Sequence, residues 1–269
     1  MRTPRSPRTA LLAAALCVGC VSLPPEMLPI AENPAGAFEY EEPGPGASAV
    51  ASSRFLVKAH GGERARLIAE MAERDYQSLM ADTGLFYFRP GGLYPILVYG
   101  TAEEYLRKAR APEWSGGLAV GNAIFTYDGP DMPRILAHEI THLIFLEYMG
   151  GRGFLRWFNE GLAVYEELHV AEPAKKAELE RWLVGSHRSP MPLAELVRFT
   201  PGGPGTDQWY AQSASVARYL VETGGRNGVE KFLKAFREGA GLDAALAAGF
   251  PTLCDSLAGL EKHWLTLSR

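Results

Sequence analysis

The chain has 269 residues, of which 47% are hydrophobic and 22% charged, and its formal net charge is −4. This length accommodates one large domain or two modest ones, and the composition is that of a globular protein. The mild acidity and the lack of a basic patch argue against nucleic acid as a partner, and no internal repeat is present.

Residues 1–20 have the pattern of an export leader. Arginines at positions 2, 5 and 8 precede an apolar stretch over residues 10–18, which is too short for an ordinary membrane span. A small residue directly before Cys20 resembles a bacterial lipoprotein processing site, so that Cys20 would become the lipidated first residue of the mature protein. The alternative is a plain secretory signal cleaved nearby. Export is expected in both cases, and Val21 favours, by resemblance, the periplasmic side of the outer membrane.

Residues 21–50 are rich in proline, glycine and glutamate, which predicts a tether that cannot bury a core. Such a tether would hold the folded part of the chain away from the membrane. The alternative is a partly ordered strap that lies along the domain. Beyond it we expect a region with a sheet and the main chemical motifs over residues 51–170. A helical region over residues 171–269 would complete the cleft.

The first part of the folded region alternates between strand and helix patterns. Strands are predicted over residues 53–59 and 94–99, with an amphipathic helix over residues 62–81 between them. Thr101 is placed to cap a helix over residues 102–109. A third strand, broken by a glycine, is predicted over residues 118–127. Helical patterns follow over residues 131–149, 154–170, 175–184, 191–199, 209–222 and 227–267. The mixture predicts an α+β fold.

The helix that begins at Asp131 or Pro133 carries two histidines one turn apart. His138 and His142 are four residues apart, so their side chains share one helix face and can reach one tetrahedral ion such as zinc. Glu139 lies about 100° around the helix from His138, where a general base for a zinc-bound water must lie. The alternative is an amphipathic helix whose histidines are surface or core residues.

A third ligand is predicted on the following helix. Glycines 150, 151 and 153 should end the first helix and reverse the chain, which would bring Glu160 of the next helix beside the histidines. Two histidines, a glutamate and a water form a suitable catalytic zinc shell. Glu166 or Glu167 is a candidate to accept the second N–H of a ligating histidine, and the sequence does not choose between them.

These two helical segments resemble the gluzincin metallopeptidases, and in particular their small bacterial peptidase-MA-like branch. That family has an HExxH helix followed by a W-x-x-E-G-x-A-x-Y segment, which residues 138–142 and 157–165 match. The resemblance implies a zincin-like catalytic domain that hydrolyses peptide bonds. It also implies one zinc ion bound by His138, His142 and Glu160, with Glu139 as the base. The Gly-x-Met-x-Asn segment of the large gluzincin aminopeptidases is not matched by residues 117–123, which argues against aminopeptidase specificity.

The resemblance also suggests two further parts of the site. In the zincin fold the strand before the HExxH helix forms the sheet edge to which extended substrate pairs. We assign residues 121–126, including Gly121, Asn122 and Ala123, to that edge, with an ordinary sheet strand as the alternative. The helix over residues 209–222 resembles a Tyr-x-x-(Ser/Ala) helix of the same family. Tyr210 is therefore a candidate donor to the transition-state oxyanion, and its alternative role is that of a core aromatic.

The sequence favours a zinc metallopeptidase that acts on peptides or proteins, because Glu139, which is needed only for catalysis, is present together with all three predicted ligands. Two other functions stay open. One is a non-catalytic zinc-binding lipoprotein that binds a protein or a cell-wall component. The other is a zinc hydrolase with a non-peptide substrate.

Overall fold

The computed structural model describes residues 38–150 and 155–267. In these residues the chain combines a five-stranded mixed sheet with a set of helices, which confirms the predicted α+β fold. The proposed leader with Cys20, most of the proposed tether and two of the glycines of the predicted turn lie outside the described residues. Across the described ranges, no helix combines the length and the apolarity that a bilayer crossing requires.

The sheet has the strand order β1-β2-β3-β5-β4. The central strands β2, β3 and β5 are parallel, whereas β1 and β4 are antiparallel to their neighbours and form the two edges. The strands are β1 Ala47–Ala51, β2 Phe55–His60, β3 Tyr94–Tyr99, β4 Gly117–Val120 and β5 Ala123–Tyr127.

The helices agree with the predicted patterns to within a few residues at their ends. Thr101 caps its helix as predicted, since its hydroxyl accepts a hydrogen bond from the Glu104 backbone N–H at 3.1 Å. The helices are α1 Gly62–Thr83, α2 Ala102–Lys108, α3 Met132–Met149, α4 Arg156–Val170, α5 Pro173–Gly185, α6 Leu193–Leu196, α7 Thr206–Tyr219, α8 Gly225–Arg237, α9 Leu242–Gly249 and α10 Leu257–Leu267. Gly150 ends α3 in the left-handed conformation, with a φ of 58°.

Residues 38–51 are ordered against the sheet, which corrects the end of the predicted tether. The rings of Phe38 and Tyr40 lie 5.2 and 4.9 Å from the ring of Phe125. The backbone N–H of Gly44 donates to the carboxylate of Glu104, and β1 then pairs with β2. Over these residues the chain is a strap of the kind considered as the alternative, because its two aromatic rings bury apolar surface that a free tether would expose.

The β4–β5 hairpin corrects the predicted sheet edge. Val120 pairs with Ala123, so Gly121 and Asn122 form a two-residue turn in which Gly121 has a φ of 61°. A glycine with positive φ at the first position suits the tight turns that join antiparallel strands. The reversal puts β4 at the edge and β5 between β3 and β4. Gly117–Val120, and not residues 121–126, therefore forms this edge of the sheet.

Each face of the sheet is covered by a different set of elements. Buried residues of β2, β3 and β5 form one core with α1, α3 and the C-terminal helices. On the other face Leu97, Tyr99 and Phe125 pack with Tyr105 of α2 and with the aromatic residues of the strap. Helix α3 therefore lies in the interior, between the sheet and the helical region, and nearly all of its side chains are buried.

Helices α4 and α7 cross at very short distance. A Cβ atom added at Gly161 of α4 would lie 2.2 Å from the backbone oxygen of Ser213 of α7 and 2.9 Å from the Cβ of Ala217. Only a residue without a side chain permits this approach. Because Gly161 directly follows Glu160, the crossing fixes α7 beside the predicted metal ligand.

We expect Gly161→Ala to lower the free energy of unfolding by about 1–3 kcal/mol, because the added methyl group overpacks the crossing. Gly185→Ala is the matched control, since nothing lies within 4 Å of a Cβ at that helical position. That change should leave stability unchanged or raise it by up to about 1 kcal/mol through helix propensity. Chemical denaturation followed by circular dichroism compares the two variants. Equal stability of the two would contradict the close crossing.

Candidate active site

The three predicted metal ligands come together in the interior. His138 and His142 of α3 and Glu160 of α4 are all buried, and one donor atom from each lies within 4.8 Å of the others. The Nε2 atoms of His138 and His142 are 3.8 and 3.4 Å from Oε2 of Glu160. The two imidazole rings are nearly perpendicular, with centroids 4.6 Å apart.

Each histidine is oriented through its other nitrogen. His138 donates its Nδ1 proton to Oε1 of Glu167 at 2.5 Å, and His142 donates its Nδ1 proton to Oδ1 of Asn159 at 3.1 Å. Partners of this kind fix the tautomer and the ring orientation of a ligating histidine. The structure thus selects Glu167, and not Glu166, as the carboxylate behind His138. It also adds Asn159, which the sequence interpretation missed although it directly precedes Glu160.

Arg134 completes the chain of charges behind His138. Its guanidinium is buried and donates to Oε2 of Glu167. Arg134 lies one helical turn before His138 on α3, so both residues reach the same carboxylate from one helix face. Burial opposes ionisation of Glu167, but the hydrogen bond from His138 and the charge of Arg134 outweigh it, and the pKa of Glu167 is lowered.

Glu160 is also held in its ionised form. Complete burial would raise the pKa of this carboxyl, but the charges and hydrogen bonds of His142 and His138 outweigh burial and lower the pKa well below its usual range. An ionised carboxylate in an apolar interior needs a cationic partner at short distance. In a loaded site a metal ion would supply this charge, in addition to the interactions of Glu160 with the two imidazoles.

The residues present fit a tetrahedral metal ion. Two ligand atoms bound to one zinc ion at about 2.1 Å are separated by roughly 3.4 Å in a tetrahedral site. The observed separations of 3.4 and 3.8 Å between the histidine nitrogens and Glu160 are close to that value. Two imidazoles and one carboxylate also form a donor set typical of catalytic zinc sites. This buried group could therefore bind a metal ion.

Glu139 lies where α3 meets the edge strand. It is fully buried on the helix, adjacent to His138 in sequence. A Cβ atom added at Gly117 of β4 would lie 2.9 Å from Cγ of Glu139 and 2.4 Å from Cγ2 of Ile135. Gly117 therefore allows the edge strand to approach the carboxylate closely. The sequence interpretation did not single out Gly117, because its importance comes from a neighbour that is distant in sequence.

The predicted sheet-edge residues lie outside the edge strand, whereas Tyr210 lies on α7 near its crossing with α4. Gly121 and Asn122 form the hairpin turn, and Ala123 begins an inner strand, so the structure does not place them at the sheet edge. Tyr210 lies on α7, one helical turn before Ser213, which contacts Gly161. Tyr210 is partly buried, and its ring contacts that of Trp209 at 5.0 Å.

The fold and the site together define a protein of the metallopeptidase type: a mixed sheet and a helix pair that converge on a buried His-His-Glu group. The sequence profile of the Peptidase MA superfamily matches residues 71–268, which is most of the chain. The chain therefore belongs to this superfamily, whose members are typically metal-dependent. No curated protein gives a significant match to the chain.

We expect Glu167→Gln to weaken metal binding by about 10–100-fold, because His138 loses its charged partner while all three ligands remain. The change also removes the buried carboxylate that faces Arg134, although Asp131 remains 3.6 Å from its guanidinium, so the fold of the variant is checked by circular dichroism first. Glu178→Gln, at a partly exposed position of α5, is the control and should bind metal as the parent chain does. Competition with a chromophoric chelator measures the affinities. Equal affinity of both variants would show that Glu167 does not support the site.

Proposed function

We propose that the chain is a zinc-dependent peptidase of the gluzincin type that hydrolyses peptide bonds. The observation that carries this proposal is the buried group of His138, His142 and Glu160 with Glu139 beside it, at the point where the edge strand meets α3. Superfamily membership supports a peptidase. The match of the donor set and its spacing to a tetrahedral ion supports zinc.

In this proposal His138, His142 and Glu160 hold the zinc ion, and when bound it supplies Lewis acidity toward water and toward the scissile carbonyl. Glu139 accepts the proton of the attacking water on its carboxylate and then delivers it to the leaving amine. Its buried position excludes bulk water, which strengthens the electrostatic effect of the carboxylate. Glu167 and Asn159 hold the histidine rings during the reaction.

We propose that β4, and not residues 121–126, positions the substrate. In the described part of the sheet β4 pairs with β5 alone, so its outer side makes no sheet hydrogen bonds, although all four of its residues are buried. Main-chain hydrogen bonds along such an edge give affinity with little sequence selectivity. The close approach of Gly117 to Glu139 would bring the bound backbone next to the base.

Tyr210 is our proposed donor to the oxyanion that forms during attack. The crossing at Gly161 and Ser213 fixes α7 against the helix of Glu160, and Tyr210 lies one turn before that crossing. A phenol held rigidly at this position can donate a hydrogen bond to charge that develops only in the transition state.

We also propose that the protein is exported and anchored to a membrane by a lipid on Cys20. The leader over residues 1–20 supports export and anchoring, which would place the enzyme on the periplasmic side of a bacterial outer membrane. Peptides or proteins would be the substrates there.

We expect Glu139→Gln to retain metal at one ion per active site and to lower peptide hydrolysis by about 10²–10⁴-fold, because only the base is lost. Metal content by mass spectrometry and cleavage of a mixed peptide library measure the two effects, with Glu178→Gln as the control. Undiminished turnover in Glu139→Gln would contradict the assignment. A parent chain that holds metal and cleaves no peptide would favour the non-catalytic binding module instead.

Replacement of Tyr210 by phenylalanine should lower kcat by about 10²–10³-fold, because one oxyanion donor is removed. KM should change little, since the interaction belongs to the transition state. Tyr87→Phe, at a tyrosine that is 92% exposed, is the control and should retain full kcat. Steady-state kinetics on the best library peptide distinguishes the two. Unchanged kcat in Tyr210→Phe would leave Tyr210 with a packing role.

A further inference from the structure

A second group of metal-ligating side chains lies between α1 and α4. It consists of Asp82 of α1 and of Glu166 and His169 of α4, and one donor atom from each lies within 4.8 Å of the others. Glu166 follows Glu160 by six residues, which is about 9 Å further along the helix and on another face. The group is therefore separate from the active-site ligands.

The donors converge on one nitrogen. Nδ1 of His169 lies 3.4 Å from Oε2 of Glu166, 3.5 Å from Oδ2 of Asp82 and 3.1 Å from the hydroxyl oxygen of Ser78. Ser78 and Asp82 are one turn apart on α1, and Glu166 and His169 are one turn apart on α4. Two helices thus each present two donors to the same small volume.

Two carboxylates in this region are buried and incompletely satisfied. Glu166 is 3% exposed, and its Oε1 atom meets no hydrogen-bond donor in residues 38–150 and 155–267. Asp75 lies one turn before Ser78 on α1 and is 8% exposed, and its Oδ2 atom likewise has no partner among the described residues. Buried carboxylate oxygens of this kind require a proton or a cation.

The charges around the group are mainly negative. Burial and the charge of Glu166 raise the pKa of Asp75 to about 7. Burial, together with the proximity of Asp82, also raises the pKa of Glu166. The hydrogen bond and charge of Glu166, with the charge of Asp82, raise the pKa of His169. Lys176 and Arg74 are further cationic side chains, which act on His169 and Asp75, respectively. Two carboxylates thus share a small volume with one imidazole, the charge of Glu166 also reaches Asp75, and a divalent cation would relieve the mutual repulsion of the carboxylates.

We propose that Asp82, Glu166 and His169 form a second divalent-cation site that links α1 to α4. The donor set favours a zinc-class ion over calcium, because it contains an imidazole nitrogen and few oxygens. Calcium takes six to eight oxygen ligands and commonly uses backbone carbonyls. Here all donors are side chains on two helices. Ser78 or a water completes four-coordination.

The site would stabilise the helix that carries the catalytic machinery. Helix α4 supplies Glu160 and Glu167 from one face and Glu166 and His169 from another. An ion bound at the second group would tie this helix to α1, which packs on the sheet. Its role is structural and does not depend on whether the active site hydrolyses peptides.

The test uses the full chain, stripped by chelator, reloaded with zinc and freed of excess metal by gel filtration. We expect two zinc ions per chain in the parent, one in His169→Ala, one in His138→Ala/His142→Ala and none in the combined triple variant. His263→Ala, an exposed histidine of α10, is the matched control and should keep two. A parent with one ion, or a His169→Ala variant with the parent's stoichiometry, would overturn the second site.

A thermal measurement keeps the proposal testable if a substitution disturbs folding. In His138→Ala/His142→Ala, zinc at about 100 times its dissociation constant should raise the melting temperature by about 5–10 °C. Addition of Asp82→Asn, which preserves side-chain size, should abolish that shift while the metal-free melting temperature stays the same or rises. A zinc-dependent shift that survives Asp82→Asn would assign the ion elsewhere and overturn the site.

Discussion

The ion pair between Arg134 and Glu167, with His138 on the other carboxylate oxygen, is the contact on which the order of the active site depends. All three groups are buried, so each must find its partner inside the protein. On α3, Arg134, His138 and His142 follow one another at intervals of one turn. On α4, Glu160 and Glu167 are two turns apart and share a face. The ion pair therefore fixes the rotation of α4 against α3, and this rotation brings Glu160 to the histidines.

The C-terminal helices are part of this arrangement and do not form a separate layer. Gly161 lets α7 approach α4 within backbone contact directly beside Glu160. The apolar core that surrounds α3 continues into α7, α8 and α9 without interruption. The position of Glu160 on α4 is thus fixed from two sides. Helix α3 contacts α4 through the Arg134–Glu167 ion pair, and α7 packs closely against Gly161. The superfamily match, over residues 71–268, likewise covers both the helix pair and the C-terminal helices.

The sequence predicts those features that depend on local periodicity. The α+β class, strand β3, the Thr101 cap and the helices of the two histidines and of Glu160 are all of this kind. It could not choose between Glu166 and Glu167, because adjacent residues on a helix differ by about 100° and the choice depends on how α3 and α4 cross. The predicted edge strand is wrong, although Gly121-Asn122 is a two-residue hairpin signal that the sequence offers. The roles of Gly117 beside Glu139 and of Arg134 beside Glu167 depend on partners that are distant in sequence.

Helix α4 carries three buried carboxylates, and comparison of their surroundings separates their roles. Glu160 faces two imidazoles and Glu167 faces Arg134 and His138, and the pKa of each is lowered despite burial. Glu166 is equally buried, yet its nearest charged neighbours include Asp82, and its pKa is raised. Two of the three carboxylates are thus stabilised in the ionised form by histidine and arginine side chains of the chain itself. The third is balanced only in part by His169, and its position beside Asp82 and Ser78 gives a cation a place to complete that balance.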